Sequence, residues 1–250
     1  MFHVFLFLGL TTGLASGLNP SCAPGGNFDL RPWSLQLPTG SPGSPTSIAS
    51  SQLQGCNGYT DHGQYFFTES GDGALVMKVP GNTSTGCVTT PNSLHCRTEF
   101  REVNPGDGSP ASWDPNANTN RLAATLVVPE PDNSGHGTVV GQVHIDGSVS
   151  TKPVCELYYN SHGVLAMGVE QTRAGGNEVF TQVGSVPVGT AFTYEIRYET
   201  NVLSVIINGG PQQILSTYSL DAPASYFKAG NYNQGSSPSD VHFLALSVQH

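Results

Sequence analysis

Three short segments of this chain carry more chemistry on one face than packing requires. Side chains along an extended backbone alternate between faces. "RTEFREV" (97–103) therefore sets Arg97, Glu99 and Arg101 on one side and Thr98, Phe100 and Glu102 on the other. "GQVHID" (141–146) sets Gln142, His144 and Asp146 against Val143 and Ile145. "YFKAGNYNQ" (226–234) sets Tyr226, Lys228, Gly230, Tyr232 and Gln234 against Phe227, Ala229, Asn231 and Asn233. Taken singly, each polar comb reads as a solvated face. The Arg97–Glu99–Arg101 run is then an exposed ion-pair ladder worth under ~1 kcal/mol per pair, and His144, Lys228 and Tyr232 are ordinary structural or surface residues. Taken together, they supply two guanidiniums, a carboxylate, an amide, an imidazole, an ammonium and two phenols. Neighbouring strands lie ~4.8 Å apart and same-face residues ~6.7 Å apart, so adjacent combs bring all of these within reach of one sugar ring.

Such a set needs strands to hold it. Thirty glycines and eighteen prolines among 250 residues point to many turns between short strands. Strands are expected near 64–68, 74–79, 97–103, 121–128, 138–146, 154–159, 164–170, 178–183, 192–199, 202–208, 225–232 and 241–248, after a first strand within "NFDLRPWSLQLPTG" (27–40). The clearest is "FTYEIRYE" (192–199), where Phe192, Tyr194, Ile196 and Tyr198 alternate with polar residues. A dozen or so short strands in one domain read as an all-β sandwich or jelly roll. "SPGSPTSIASSQLQGC" (41–56) reads as a turn-rich loop. "NPGDGSPASWDPNANTN" (104–120) reads either as a flap over a groove or as a disordered loop.

Residues 1–17, with an apolar run from Val4 to Leu10 and small residues at Ala15–Gly17, resemble a secretory signal peptide, leaving 18–250 as a single secreted domain; the n-region has no lysine or arginine, and a disordered or buried apolar start is the alternative. No later segment is long and apolar enough to span a bilayer. Of the five cysteines, Cys87 is expected to pair with Cys96, bracing the approach to the Arg97 strand, and Cys22 with Cys56; Cys155 is left as a buried, inert thiol. Asn82 lies in an N-glycosylation sequon. The net charge of −9, with only nine lysines and arginines, argues against nucleic acid. It also makes a cluster of those cations informative, because a local positive site on an acidic protein suits a carboxylate ligand. No zinc-type spacing or calcium loop is present, and no cofactor is expected. The default oligomeric state is a monomer.

"RTEFRE", "QVH" and "YFKAGNYNQ", in this order, strongly resemble the three signature regions of polysaccharide lyase family 7, the alginate lyases, and "NFDLRPWSLQLP" resembles that family's opening strand. Phe100 stands where leucine is usual. The resemblance implies a jelly roll of two antiparallel sheets with a concave groove for an anionic polysaccharide, and depolymerisation by β-elimination. It implies Tyr232, His144, Gln142 and Arg97 as catalytic residues, with Lys228, Arg101, Glu99, Tyr226 and Gln234 binding substrate. Arg97 and Gln142 would neutralise the uronate carboxylate, and Tyr232 would protonate the departing O4. With mannuronate, whose C5–H and C4–O share a face, Tyr232 would also be the base; with guluronate the base would be His144. For either task Tyr232 is expected to be brought toward neutrality by Arg97 or Lys228. Valine in the Q-x-H motif accompanies mannuronate preference in this family. A β-1,4-glucuronan lyase and a non-catalytic carbohydrate-binding jelly roll are the alternatives. Hydrolysis is disfavoured, because Glu99 has no carboxylate partner on its own face, and Asp146 would be one only if their strands were neighbours.

Overall fold

Alternation along short strands decides the architecture, most clearly where a strand turns one face to the core and the other outward. A computed structural model describes residues 17–91 and 93–250, so the signal-peptide reading lies, Gly17 apart, outside the described residues. Fifteen strands follow in chain order: β1 (Trp33–Ser41), β2 (Ser44–Ile48), β3 (Phe66–Thr68), β4 (Leu75–Val79), β5 (Arg97–Glu102), β6 (Arg121–Glu130), β7 (Thr138–Ile145), β8 (Pro153–Tyr159), β9 (Val164–Val169), β10 (Val179–Ser185), β11 (Phe192–Glu199), β12 (Val202–Ile207), β13 (Gln213–Leu215), β14 (Ser225–Tyr232) and β15 (Ser239–Gln249). Eight form one sheet in the order β10-β9-β8-β7-β14-β5-β1-β2, and seven form a second in the order β13-β12-β11-β6-β15-β4-β3. All the strand pairs are antiparallel. The result is an open two-sheet jelly roll.

The core lies between the sheets. Trp33, Phe100, Val143, Leu157 and Phe227 from the first meet Met77, Leu126, Ile196, Tyr198 and Phe243 from the second, all essentially inaccessible to water. In β11 the aromatic and aliphatic residues are buried while Thr193, Glu195, Arg197 and Glu199 are not, as the period-two pattern predicts. β14 is different, with seven of its eight residues buried. One face enters the core and the other is covered by the polar side chains of its neighbours. Asn231, on the core side of β14, accepts from Thr138 Oγ1 (2.7 Å) and Ser239 Oγ (2.8 Å) and donates to Met77 O (2.9 Å), tying the two sheets together.

Two strands were not legible. Ser44–Ile48 looks like a loop because it is short and contains Pro45; as an outermost strand, pairing only with β1, it tolerates a residue that cannot donate. Gln213–Leu215 is a three-residue outer strand beside β12. The segment 104–120 is neither a flap nor disordered. Trp113 bridges to Ser225, donates from Nε1 to Glu102 (2.9 Å) and packs its ring 4.7 Å from that of Phe227, so the loop is docked on the sandwich and contributes nothing to the groove wall. The disulfides Cys22–Cys56 and Cys87–Cys96 form as expected, and Cys155 is free and buried, its thiol pushed up by burial.

Candidate active site

β14 runs between β5 and β7, and its register puts the three polar combs side by side. Lys228 stands opposite Arg101 on one side and Gln142 on the other; Tyr226 stands opposite His144; Tyr232 stands opposite Arg97. The outer face of the eight-stranded sheet therefore carries an open groove of about 440 Å³ lined by all of these residues, a size typical of ligand sites (~300–1,000 Å³). Its long direction crosses the strands, from Gln36 on β1 to Glu178 just before β10.

Glu99 is the centre of this floor. It is 2% exposed and accepts from Arg97 Nη1 (3.1 Å), from Gln142 Nε2 and from Lys228 Nζ. Burial opposes its charge, but Lys228 and then Arg97 outweigh it and hold the carboxyl below the usual range. Two cations share this one anion, and the more easily titrated of them yields: burial and the nearby Arg97 push Lys228 down to about 8 despite Glu99. Arg97 stays charged. Glu99 thus fixes the amide, the ammonium and the guanidinium in a common orientation, and Lys228 retains donor capacity for a ligand.

At one side His144 stacks on Tyr226, ring centroids 5.0 Å apart, while Arg101 lies 4.0 Å over the opposing phenol and donates to its hydroxyl (3.0 Å). Burial, followed by the charge of Lys228, pushes His144 down to about 3. The imidazole is neutral, and its Nδ1 lies 2.8 Å from Ile145 O. That contact makes Nδ1 the donor and leaves Nε2 as an acceptor.

At the other side the Arg97 guanidinium lies 3.6 Å from the centroid of the Tyr232 ring, with Lys228 Nζ 5.7 Å from it. The Tyr232 hydroxyl sits 3.3 Å from Ser93 Oγ, which also accepts from Arg97 Nη2 (3.1 Å). Ser93 belongs to the loop closed by Cys87–Cys96, so the disulfide braces a contact to the phenol. Burial raises Tyr232 and Arg97 only partly offsets it. The expectation that cations bring Tyr232 toward neutrality is right in the sign of the Arg97 effect and wrong in the net. Desolvation wins, and the resting side chain is a protonated phenol. The groove therefore holds a proton donor, a neutral imidazole acceptor and an array of cations and amides around one polar space.

The family model described as alginate lyase matches residues 28–250. The chain belongs to the alginate lyases of polysaccharide lyase family 7. A curated alginate lyase of Klebsiella pneumoniae is 25% identical over 85% of this chain and 84% of its own length. The family 7 alginate lyase A1-II′, solved as a variant in complex with product (GGG), superposes with a TM-score of 0.77 at 30% identity, covering 92% of this chain and 99% of that one. An alginate lyase from Pseudomonas aeruginosa superposes with a TM-score of 0.74 at 29% identity, covering 89% and 99%.

Eight of the nine residues proposed for the site from the family motifs line the groove. The ninth, Gln234, does not: β14 ends at Tyr232, and beyond it Gln234 turns back so that its backbone N–H meets Asp132 (2.7 Å) and its amide meets Tyr232 O (3.4 Å). Asp146 also falls outside the groove, and β14 separates its strand from that of Glu99, so no hydrolytic pair arises there. Sequence reasoning missed Ser93, which lies in a loop with no periodic signal, and the carboxyls of Glu156, Glu170 and Glu178 farther along the floor. The alternation of "PVCELYY" does set Glu156 and Tyr158 on one face, and that was the available signal.

Gly230 allows β14 to bend between these partners. Its φ is +155°, the register against β7 shifts between Ala229 and Tyr232, and an added Cβ would lie 2.6 Å from Thr98 O and 2.7 Å from Glu99 Cα. Gly230→Ala is expected to cost ~1–3 kcal/mol and, by shifting Tyr232 relative to Glu99, to lower kcat ~100-fold. Thermal melts and initial rates check this; wild-type turnover in the variant would mean that the bend does not position the phenol.

Proposed function

We propose that the chain depolymerises alginate, a 1,4-linked uronate polymer, by β-elimination, with poly-β-D-mannuronate as the preferred substrate and 4,5-unsaturated oligosaccharides as products. The observation that carries this reading is the protonated Tyr232 phenol beside Arg97 in the same groove as neutral His144, Gln142 and Lys228. The C5 proton of a uronate lies next to a carboxylate, so its removal first requires that carboxylate to be neutralised. Arg97, Gln142 and the spare donors of Lys228 supply that stabilisation for the enolate-like charge. Tyr232, which holds its proton at rest, donates to the departing O4. With mannuronate it must first release that proton to solvent, then as phenolate take the proton from C5 and pass it to O4 as the C4–O4 bond breaks; the cation–π contact with Arg97 favours the phenolate this needs. With guluronate, the free Nε2 of His144 is the base. Val143, within the Q-x-H motif, supports the mannuronate preference.

The two disulfides support an extracellular location for the mature chain, which we take to act as a monomer. Absorbance of the new C4=C5 double bond, followed on polymannuronate, polyguluronate and glucuronan in parallel, tests the reading. The expected order is polymannuronate fastest. Faster cleavage of glucuronan would replace the substrate, and binding without absorbance change on any polymer would leave only a carbohydrate-binding jelly roll.

A further inference from the structure

Beyond Gln142 the floor of the groove changes sign. Glu156 on β8 stands opposite Gln142, and Gly168 on β9 stands opposite Glu156. The Glu178 carboxyl occupies the space left by Gly168, where an added Cβ would lie 2.6 Å from its Oε2. The Tyr158 hydroxyl lies 2.7 Å from Glu156 Oε2 and 2.7 Å from Glu178 Oε2. A phenol has one proton to donate, so both contacts close only if one carboxyl is itself protonated. Burial raises both acids, Glu178 to about 8 with further help from the charge of Glu156. Glu170, only 5% exposed, also lines this end, and its Oε2 and Oε1 of Glu178 are buried with no hydrogen-bond partner. Buried acceptors without donors are rare in folded proteins, and leaving these two unpaired adds to the cost of charging the acids, which favours the shared proton. An acidic wall is the wrong lining for a carboxylate and the right one for sugar hydroxyls.

We propose that Glu156 and Glu178, bridged by Tyr158 and sharing one proton, form with Glu170 a subsite that accepts hydroxyl groups of the sugar flanking the cleaved linkage and excludes its carboxylate. The inference rests on the uronate-lyase reading of the groove. It assigns the residues next to the catalytic groups a charge-selective role: the flanking sugar must turn its hydroxyl edge to the wall. The other charged groups facing the pair are Glu99 and Arg97 from β5 and Lys228 from β14, with the His136 ring against Tyr158, while Lys152 ahead of β8 faces Glu170. Losing the shared proton places a second negative charge in the path of a polyanion.

The test measures KM and kcat on polymannuronate for wild type, Glu178→Gln and Gly168→Ala. In wild type KM is expected to rise ~10-fold between about pH 7 and about pH 9 as the added charge repels substrate. Lys228 titrates in the same range in every variant, so the pair is read from the difference: Glu178→Gln, which cannot ionise, should show a rise of only ~3-fold. Gly168→Ala leaves all the acids in place but displaces the Glu178 carboxyl, and should raise KM ~5-fold at about pH 7 with the effect on KM rather than kcat. KM profiles that coincide for all three proteins would overturn the inference while leaving the lyase reading intact. Absence of turnover by wild type on polymannuronate, polyguluronate and glucuronan alike would overturn the lyase reading and this inference with it.

Discussion

Tyr232→Phe is expected to lower kcat on polymannuronate by ~10³-fold while mannuronate oligomers still bind. The substitution removes a single hydroxyl whose contact within the protein is Ser93 Oγ at 3.3 Å. The ring keeps its Arg97 guanidinium at 3.6 Å and its edge contact with His95 at 6.0 Å, so the groove keeps its shape and charge. Only the transferable proton is lost. Because that proton reaches O4 in the transition state and not in the ground state, the effect belongs in kcat and leaves oligomer affinity nearly untouched. Calorimetric binding together with single-turnover absorbance separates the two quantities. Turnover equal to wild type would take Tyr232 out of the mechanism; a matching loss of affinity would make it a binding residue.

The architecture and the polar face that lines the groove were legible for one physical reason, and the remainder was hidden for another. Strict period-two alternation in 192–199 and in the three combs fixes which side chains share a face, because a strand has no other way to dispose them. Which strands neighbour each other is a long-range property. Nothing in residues 97–103 says that they pair with 226–232, and it was the family motifs, not spacing, that joined them. Gln234 was lost because alternation says nothing about where a strand stops. Ser93 was lost because its position is set by a disulfide-closed loop. The net rise of Tyr232 was lost because desolvation depends on what covers a residue, and no local sequence feature records the burial of β14 on both of its faces. The surroundings of Glu99 were hidden for the same reason. The family resemblance places it among the substrate-binding residues; at 2% exposure, with Arg97, Gln142 and Lys228 all directed at it, the geometry points to a positioning role.

Glu99→Gln puts that role to the test, and its effect should appear first in stability. The substitution keeps the size and removes the charge, leaving Arg97 and Lys228 buried without the carboxylate they both contact, with only the more distant Glu156 in part to balance them. Breaking one side of a buried ion network costs ~3–5 kcal/mol, which in a chain of this size corresponds to a Tm lower by ~10 °C. The sign with pH follows from the lowered Glu99 carboxyl. Its contribution is present above the ordinary glutamate value of about 4.3 and is lost as pH falls through its lower folded value. Melts of wild type and variant should therefore differ most near neutrality and converge in acid. Activity should fall ~100-fold at neutrality, because Gln142 and Lys228 lose the acceptor that orients them for the uronate carboxylate. A stable variant with wild-type kcat would mean that the cations and the amide hold their places without Glu99, and the floor of the groove would then owe its order to the strand register alone.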